Sequence, residues 1–164
     1  MQLASVYRLA LAVAVGALAG WTPPAPAGSA PELALTTRQG VLPLASLRGK
    51  VVYLDYWASW CGPCRSSFPW MNEMQSRYGD RGLVIVAVSV DKEPAAVDSF
   101  LRQYPARFTI AYDPAGAAAG AMQVKGMPSS YLIDREGNVH AVHVGFREQD
   151  KAELETRIRT LLTD

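Results

Sequence analysis

Residues 51–64 read VVYLDYWASWCGPC, and this stretch decides the fold. Its first part is apolar, β-branched or aromatic except at Asp55, which is typical of a buried strand. A turn follows, and then a helix that is expected to begin at Cys61 or Gly62. The only two cysteines of the chain, Cys61 and Cys64, lie at this junction in a Cys-x-x-Cys spacing.

The place of the cysteine pair indicates redox chemistry. A strand that ends at a helix N-terminus faces unpaired backbone N–H groups and the positive end of the helix dipole. The thiol of Cys61 should therefore ionise more readily than a free thiol. Cys64 lies one turn deeper and can resolve a mixed disulfide formed at Cys61. Pro63 suits the first helical turn, where its missing N–H has no effect.

Two other uses of a cysteine pair are weaker. A structural disulfide across so short a loop would contribute roughly 2 kcal/mol by the chain-entropy formula, and it would hold no distant segments together. A structural zinc needs four ligands, and the sequence has no further cysteine. His140 and His143 lie three residues apart on a predicted strand, so they face opposite sides and should not chelate one metal. The sequence predicts neither a metal site nor a cofactor.

The segment DYWASWCGPC at residues 55–64 resembles the active-site segment of the thioredoxin superfamily. From about Leu33 to about Leu162 the chain resembles its exported bacterial branch, the TlpA/ResA-type thiol–disulfide oxidoreductases. The resemblance implies an α/β, thioredoxin-like fold with a central mixed β-sheet flanked by helices. It also implies an N-terminal β-hairpin and an α/β element inserted before Pro128, both of which are typical of this branch.

The resemblance implies roles for residues outside the cysteine pair. Pro128 would be cis and face Cys61, and the backbone of Met127 would pair with the substrate chain; the alternative is an ordinary trans-proline turn. Asp55 matches the buried acid of thioredoxins, where burial should raise its pKa and let it move protons for Cys64. The alternative is a structural, hydrogen-bonded Asp.

Trp60 and Ser67 near the motif refine the expected site. Trp60 should be a partly exposed platform for substrate. Ser67 stands where ResA-type members often have a Glu, and the lysine that accompanies the acid in thioredoxins has no clear match. Asp55, together with water, is therefore expected to handle the proton.

Hydrophobic periodicity and turn residues predict the remaining elements. The predicted strands are 33–38, 41–44, 51–56, 83–90, 108–112, 129–134 and 139–145, and the predicted helices end near Tyr78, Tyr104, Gln123 and Leu162. Pro43 should restrict its strand to an edge, Pro69 should kink the first helix, and Asp113 should cap the helix expected from Ala115.

Residues 1–27 resemble a secretory signal peptide, with Arg8, an apolar run from Leu9 to Trp21 and a Pro-rich end of small residues. The run is shorter than the roughly 20 residues of a spanning helix, which favours cleavage over an uncleaved anchor. Residues 28–32 should be a flexible leader and residues 33–164 a thioredoxin-like domain. The expected location is periplasmic or extracytoplasmic.

The charges nearly balance, with 16 Lys and Arg against 15 Asp and Glu, so neither nucleic acid nor an anionic surface is an expected partner. The apolar fraction of 49% is enough for one core. A secreted chain with one close cysteine pair does not depend on disulfides for its fold, which again favours catalysis. A monomer is expected.

These observations predict an exported thiol–disulfide oxidoreductase that reduces protein disulfides, and the resemblance implies cytochrome c maturation as one setting. Gly62-Pro63 is the dipeptide of reducing thioredoxins, whose potentials lie near about −270 mV. The resemblance implies a membrane electron donor of the DsbD/CcdA type and apocytochrome c as one target. The alternatives are a dithiol oxidase of secreted proteins and a module that binds Cu(I) through its two thiols.

Overall fold

The computed structural model of the protein describes residues 28–163. The strands are β1 (Ala34–Thr37), β2 (Gly40–Pro43), β3 (Val51–Trp57), β4 (Leu83–Ser89), β5 (Thr109–Tyr112), β6 (Ser129–Ile133) and β7 (Val139–Val144). The helices are α1 (Cys64–Tyr78), α2 (Pro94–Gln103), α3 (Ala117–Ala121) and α4 (Lys151–Thr163), with 3₁₀ turns at Leu44–Leu47, Gly79–Arg81 and Glu148–Asp150. The strands form one seven-stranded sheet in the order β2-β1-β5-β4-β3-β6-β7.

The centre of this sheet is β3, all of whose residues are buried. It runs parallel to β4 and antiparallel to β6, and β4 runs parallel to β5. Helices α1 and α2 make the crossovers that parallel neighbours require. The predicted α/β fold with a central mixed sheet is confirmed, and the element inserted between β4 and Pro128 consists of α2, β5 and α3.

The side chains of β3 alternate between two cores, one on each face of the sheet. Val51, Tyr53 and Trp57 join the cluster that contains both cysteines and the buried faces of α1, α2 and α4. The even-numbered residues of β3 join a second cluster under β1 and α3. Asp55, like Val51, Tyr53 and Trp57, is an odd-numbered residue of β3, so its carboxyl points to the same face of the sheet as the cysteines.

The N-terminal hairpin has the predicted form. Thr37 pairs with Gly40, and Gly40 adopts a φ of +125°, which glycine tolerates and other residues rarely adopt. Strand β2 forms one edge of the sheet, and Pro43 is its last residue, as its missing N–H requires.

Two predicted helices differ from the structure. The first begins at Cys64 instead of Cys61 or Gly62, because the chain turns before it. The third was expected from Ala115 to about Gln123, yet α3 is only five residues long and none of them is buried. Only Ala118 and Ala119 pack, half-buried, against the second cluster, so tertiary contacts add little to the stability of a helix this short.

The expected cap of the third helix is also different. The residue at its N-cap is Gly116, with a left-handed φ of +72°, and it makes no side-chain cap. The Asp113 carboxylate instead accepts a hydrogen bond from the backbone N–H of Ala119 inside the helix, at 2.8 Å. The acid still satisfies a free N–H of the first turn, but it does so from outside the cap position.

Residues 28–30 make backbone hydrogen bonds to the rest of the domain. The N–H of Ala30 donates to the carbonyl of Gly137 at 2.9 Å, and the N–H of Val139 donates to the carbonyl of Gly28 at 3.1 Å. The segment thereby pairs with the turn that precedes β7. The predicted signal peptide at 1–27 lies outside the described residues.

The described residues contain neither a membrane-spanning helix nor a cluster of metal-binding side chains. No helix within 28–163 is long and apolar enough to cross a membrane. His140 is exposed and His143 is directed inward, so they face opposite sides of β7 as predicted. In the same range, no cluster of three or more His, Cys, Asp or Glu side chains is placed to hold a metal ion.

Candidate active site

The two cysteines form a disulfide at the start of α1, with an Sγ–Sγ distance of 2.05 Å. Cys64 is fully buried and Cys61 is 3% exposed, whereas Gly62 and Pro63 between them are exposed. Trp60 is 69% exposed, so the expected partly exposed platform is in fact largely open to solvent. The disulfide therefore lies just beneath an accessible rim, with Cys61 closer to the solvent.

The helix N-terminus reaches the sulfur of Cys61. The backbone N–H of Cys64, the first residue of α1, donates to Cys61 Sγ with an N–S distance of 3.3 Å. Pro63 precedes it with helical backbone angles and contributes no N–H of its own. In the reduced protein this arrangement would stabilise a thiolate on Cys61 by a hydrogen bond and by the helix dipole.

The loop before the disulfide is held by Asp91. One carboxylate oxygen accepts the N–H of Ser59 and the other accepts its hydroxyl, both at 2.8 Å. The hydroxyl of Ser89 donates to the same carboxylate at 2.9 Å. Asp91 follows β4 and Ser59 follows β3, so this contact joins the carboxyl ends of two parallel strands.

Asp55 is 1% exposed and carries one hydrogen bond. Its Oδ1 accepts the hydroxyl of Ser130 at 2.8 Å, and its Oδ2 has no partner among the described residues. Burial raises the pKa of Asp55 to about 7, although the Ser130 hydrogen bond opposes the change. A group with this pKa can both take up and release a proton near neutral pH.

Tyr53 extends this contact by one residue. Its hydroxyl donates to Ser130 Oγ at 2.8 Å, so Tyr53, Ser130 and Asp55 form a continuous chain of hydrogen bonds. Burial and the neighbouring Asp55 carboxyl raise the pKa of Tyr53 far above its ordinary value, so the phenol stays protonated. Register explains the contact, since Asp55 pairs directly with Ser130 across β3 and β6.

The loop before β6 contains the cis peptide bond Met127–Pro128, the isomer that the resemblance implied. Tyr56 pairs with Ser129, which brings this loop to the end of β3 from which the cysteine segment departs. Pro128 is buried and Met127 is half-buried against the cluster that contains both cysteines. The hydroxyl of Ser129 donates to the carbonyl of Gly126 at 2.7 Å and so closes the loop.

Comparison with known proteins agrees with this geometry. The family model Redoxin matches residues 17–158. A thiol-disulfide oxidoreductase ResA of Bacillus cereus (strain ZK / E33L) is 37% identical over 127 residues, which cover 77% of this chain and 72% of that protein. A second ResA, from Bacillus thuringiensis (strain Al Hakam), is 35% identical over 133 residues, covering 80% of this chain and 76% of its own. This chain belongs to the redoxin family.

A solved structure shows the same relationship for the fold. The crystal structure assigned to a thiol:disulfide interchange protein DsbE of Chlorobium tepidum is 52% identical to this redoxin. It superposes with a TM-score of 0.80 and covers 82% of this chain and 95% of its own. This redoxin is therefore a thiol–disulfide oxidoreductase with a thioredoxin-like fold.

Sequence reasoning missed three polar residues of this redoxin's site. Ser130 and Tyr53 were not identified from the sequence. The pairing of Ser130 with Asp55 depends on the register between β3 and β6, which only the tertiary structure shows. Tyr53 does share the parity of Asp55 on the strand, which was an available signal. Asp91 could have been found, since the carboxyl ends of neighbouring parallel strands meet at one edge of the sheet.

Ser67 lies three residues after Cys64 on α1. In this redoxin it is buried, and its hydroxyl donates to the carbonyl of Cys64 at 3.1 Å. Ser67 thus supplies no charge beside Cys64. Asp55 remains the buried carboxyl on the face of the sheet that carries the disulfide.

Proposed function

We propose that this redoxin is an exported reductant of protein disulfides, with Cys61 as the attacking thiolate and Cys64 as the resolving thiol. The observation that carries this assignment is the hydrogen bond from the Cys64 N–H to Cys61 Sγ at the start of α1. It favours the thiolate on Cys61 and not on Cys64, which is fully buried.

The proposed cycle begins with the reduced enzyme. The Cys61 thiolate attacks one sulfur of a substrate disulfide, forms a mixed disulfide and releases the other substrate sulfur as a thiolate. Cys64 then gives its proton to Asp55 and attacks Cys61 Sγ, which releases the second substrate thiolate. The enzyme is left with the Cys61–Cys64 disulfide that the structure shows, and two electrons have passed to the substrate.

The rim around the disulfide supports the proposed substrate contacts. Trp60 offers an exposed aromatic face, and Met127 and Pro128 form a loop at the same end of β3. We propose that Trp60 packs on the substrate and that the backbone of Met127 pairs with the substrate chain beside Pro128. Gly62 and Pro63 add no charge and no large side chain at the point of attack.

Electron flow and location are part of the same proposal. The Gly62-Pro63 dipeptide favours a low potential, near about −270 mV in thioredoxin and far from about −120 mV in a strong oxidant. An oxidising compartment does not keep such a pair reduced, so we propose a membrane donor of the DsbD/CcdA type, with apocytochrome c as one substrate. Residues 1–27 are proposed to direct export, and the domain is proposed to act as a monomer.

The decisive experiment is the equilibrium reduction potential of the Cys61–Cys64 pair in residues 28–164, poised against dithiol buffers. A value near or below about −250 mV supports the reductant, and one near about −120 mV overturns it in favour of an oxidase. Trapping supplies the matched test of the thiol roles. Cys64→Ser should accumulate a mixed disulfide with a protein substrate, whereas Cys61→Ser should not.

A further inference from the structure

Because Asp55 is buried, its proton needs a path to solvent. Asp55 is 1% exposed and Cys64 is fully buried, so a proton that passes between them has no direct contact with solvent. The face toward α1 is closed by aromatic packing. Tyr53 contacts Trp70 with ring centroids 5.6 Å apart, and Trp70 contacts Phe146 at 5.5 Å.

A polar route leads away from Asp55 in another direction. The hydrogen bonds from Tyr53 to Ser130 and from Ser130 to Asp55, each 2.8 Å long, connect the carboxyl to the Tyr53 hydroxyl. Tyr53 and Ser130 also line a cavity of about 50 Å³ between β7 and α4. That volume exceeds the roughly 10–15 Å³ that one water molecule needs.

Ionisable side chains line this cavity. His143 lines it from β7, and Glu153 and Arg157 line it from α4. Arg157 and Glu153 form an ion pair at 2.6 Å, with more than a third of each side chain exposed, so this wall of the cavity lies at the protein surface. His143 Nε2 lies 3.3 Å from the Asp150 carboxylate. The titratable or charged side chains that line the cavity are therefore Tyr53, His143, Glu153 and Arg157.

We propose that Ser130 and Tyr53 form a hydroxyl relay that carries protons between Asp55 and this cavity. The inference rests on the proposed role of Asp55 in the exchange reaction and extends it with a defined exit. Ser130 and Tyr53 are positioning and relay residues, because neither touches the sulfur atoms that react.

In either direction, each group of the relay accepts one proton for every proton that it releases. In the outward direction, protonated Asp55 gives its proton to Ser130 Oγ, Ser130 gives its own proton to the Tyr53 oxygen, and Tyr53 gives its proton to water in the cavity. Before this outward transfer the two hydroxyls donate away from Asp55, and after it they donate toward Asp55. In the inward direction, water protonates Tyr53, and each hydroxyl passes its proton one step toward Asp55. This second direction matches the donor order in the structure of the oxidised protein.

The test separates the two chemical steps of the proposed cycle. The reduced enzyme is mixed rapidly with an aromatic disulfide that releases one coloured thiolate when Cys61 attacks and a second when Cys64 resolves. Below about pH 7 Asp55 starts protonated and must release that proton through the relay before it can accept one from Cys64. At about pH 6 we therefore expect Tyr53→Phe and Ser130→Ala to slow the second release about tenfold and to leave the first unchanged. Ser130→Thr keeps the hydroxyl and should restore the rate.

Tyr131→Phe is the matched control. It removes a buried hydroxyl from the strand that carries Ser130, but that hydroxyl donates to the carbonyl of Met122 on the opposite face of the sheet. Its second release should stay at the wild-type rate. Equal slowing of both releases in Tyr53→Phe and Ser130→Ala would indicate a structural role and overturn the relay.

Asp55→Asn distinguishes failure of the relay from failure of the proposed function. If Asp55→Asn slows the second release while Tyr53→Phe and Ser130→Ala do not, the relay is wrong and the role of Asp55 stands. If Asp55→Asn resolves at the wild-type rate, the proposed role of Asp55 is wrong, and the relay with it. Should Ser130→Ala fail to fold, Tyr53→Phe decides alone, because it removes a single oxygen atom.

Discussion

Burial disfavours the charged form of the Asp55 carboxyl, and this makes the stability of the folded protein depend on pH. Its pKa is about 7 in the folded protein, against about 3.9 for an unperturbed aspartate. Between these values the folded state keeps the proton that the unfolded state has lost. The free energy of unfolding therefore falls as pH rises across this window, by about 1.4 kcal/mol per pH unit, and levels off above pH 7.

Asp55→Asn should remove that dependence, because the amide does not titrate and still accepts the Ser130 hydroxyl. At pH 8 we expect the oxidised variant to be more stable than the wild type by up to about 4 kcal/mol, and at pH 4 the two should be nearly equal. Urea unfolding at a series of pH values measures the difference. A constant difference between pH 4 and pH 8 would contradict the raised pKa.

Asp91 has a different role, since it joins the loop before the disulfide to the end of β4. Asp91→Ala would leave the Ser59 N–H and two serine hydroxyls without their acceptor. Hydrogen bonds to a charged group contribute about 1.5–3 kcal/mol each, and partial exposure should keep the total loss near about 2–3 kcal/mol. Urea unfolding of the oxidised variant and wild type measures this loss in the free energy of unfolding.

Asp91→Asn is the control for that change, because the amide oxygen keeps an acceptor for Ser59. It should recover about half of the lost stability. If Asp91→Ala unfolds at the wild-type urea concentration, the loop does not depend on this contact.

Among the elements, α1 and β4 are joined by a side chain that replaces a missing strand partner. Strand β5 pairs only with Val86–Ser89, so the first part of β4 has a free edge. Gln75 of α1 covers it. Its Oε1 accepts the Ile85 N–H at 2.9 Å and its Nε2 donates to the Leu83 carbonyl at 3.2 Å.

Gln75→Leu keeps the size of the side chain and leaves both backbone groups unpaired. We expect a loss of about 1–3 kcal/mol in the free energy of unfolding, since a buried group without a partner carries its full desolvation penalty. Gln75→Glu keeps the acceptor for Ile85 and should fall between the leucine variant and the wild type. Thermal unfolding of the three proteins ranks them, and equal midpoints would refute the proposed edge contact.

In the whole molecule, the sheet separates two hydrophobic clusters and only one of them surrounds the disulfide. Met71 is fully buried in the cluster with Cys61 and Cys64, and Leu54 is fully buried in the other. Met71→Ala and Leu54→Ala should each lower the free energy of unfolding by about 2–5 kcal/mol, through lost burial and the cavity left behind.

Their effects on the disulfide should differ. Met71 lies on the same helix face as Cys64, so Met71→Ala should loosen the packing beneath the disulfide and speed its reduction by a small thiol severalfold. Leu54→Ala serves as the matched control, with similar destabilisation and unchanged reduction rate. Equal acceleration in both would show that global opening, not local packing, controls access to the bond.

The third helix shows where a local pattern was insufficient. The small residues after Ala115 predicted a helix longer than α3. None of its residues is fully buried, so tertiary packing adds little to the weak intrinsic stability of so short a helix.

The sequence by itself determined the elements and the reaction class. Alternation and apolar runs located all seven strands, and the Cys61–Cys64 motif after a strand identified thiol–disulfide chemistry, because both are local patterns. The tertiary structure alone decided which polar groups meet: Ser130 and Tyr53 at Asp55, and Asp91 at Ser59. Those contacts depend on strand register and on the order of strands in the sheet, which join residues more than 30 positions apart. Local patterns place Tyr53 and Asp91 on the correct face or edge of the sheet, but they do not specify the partner residue.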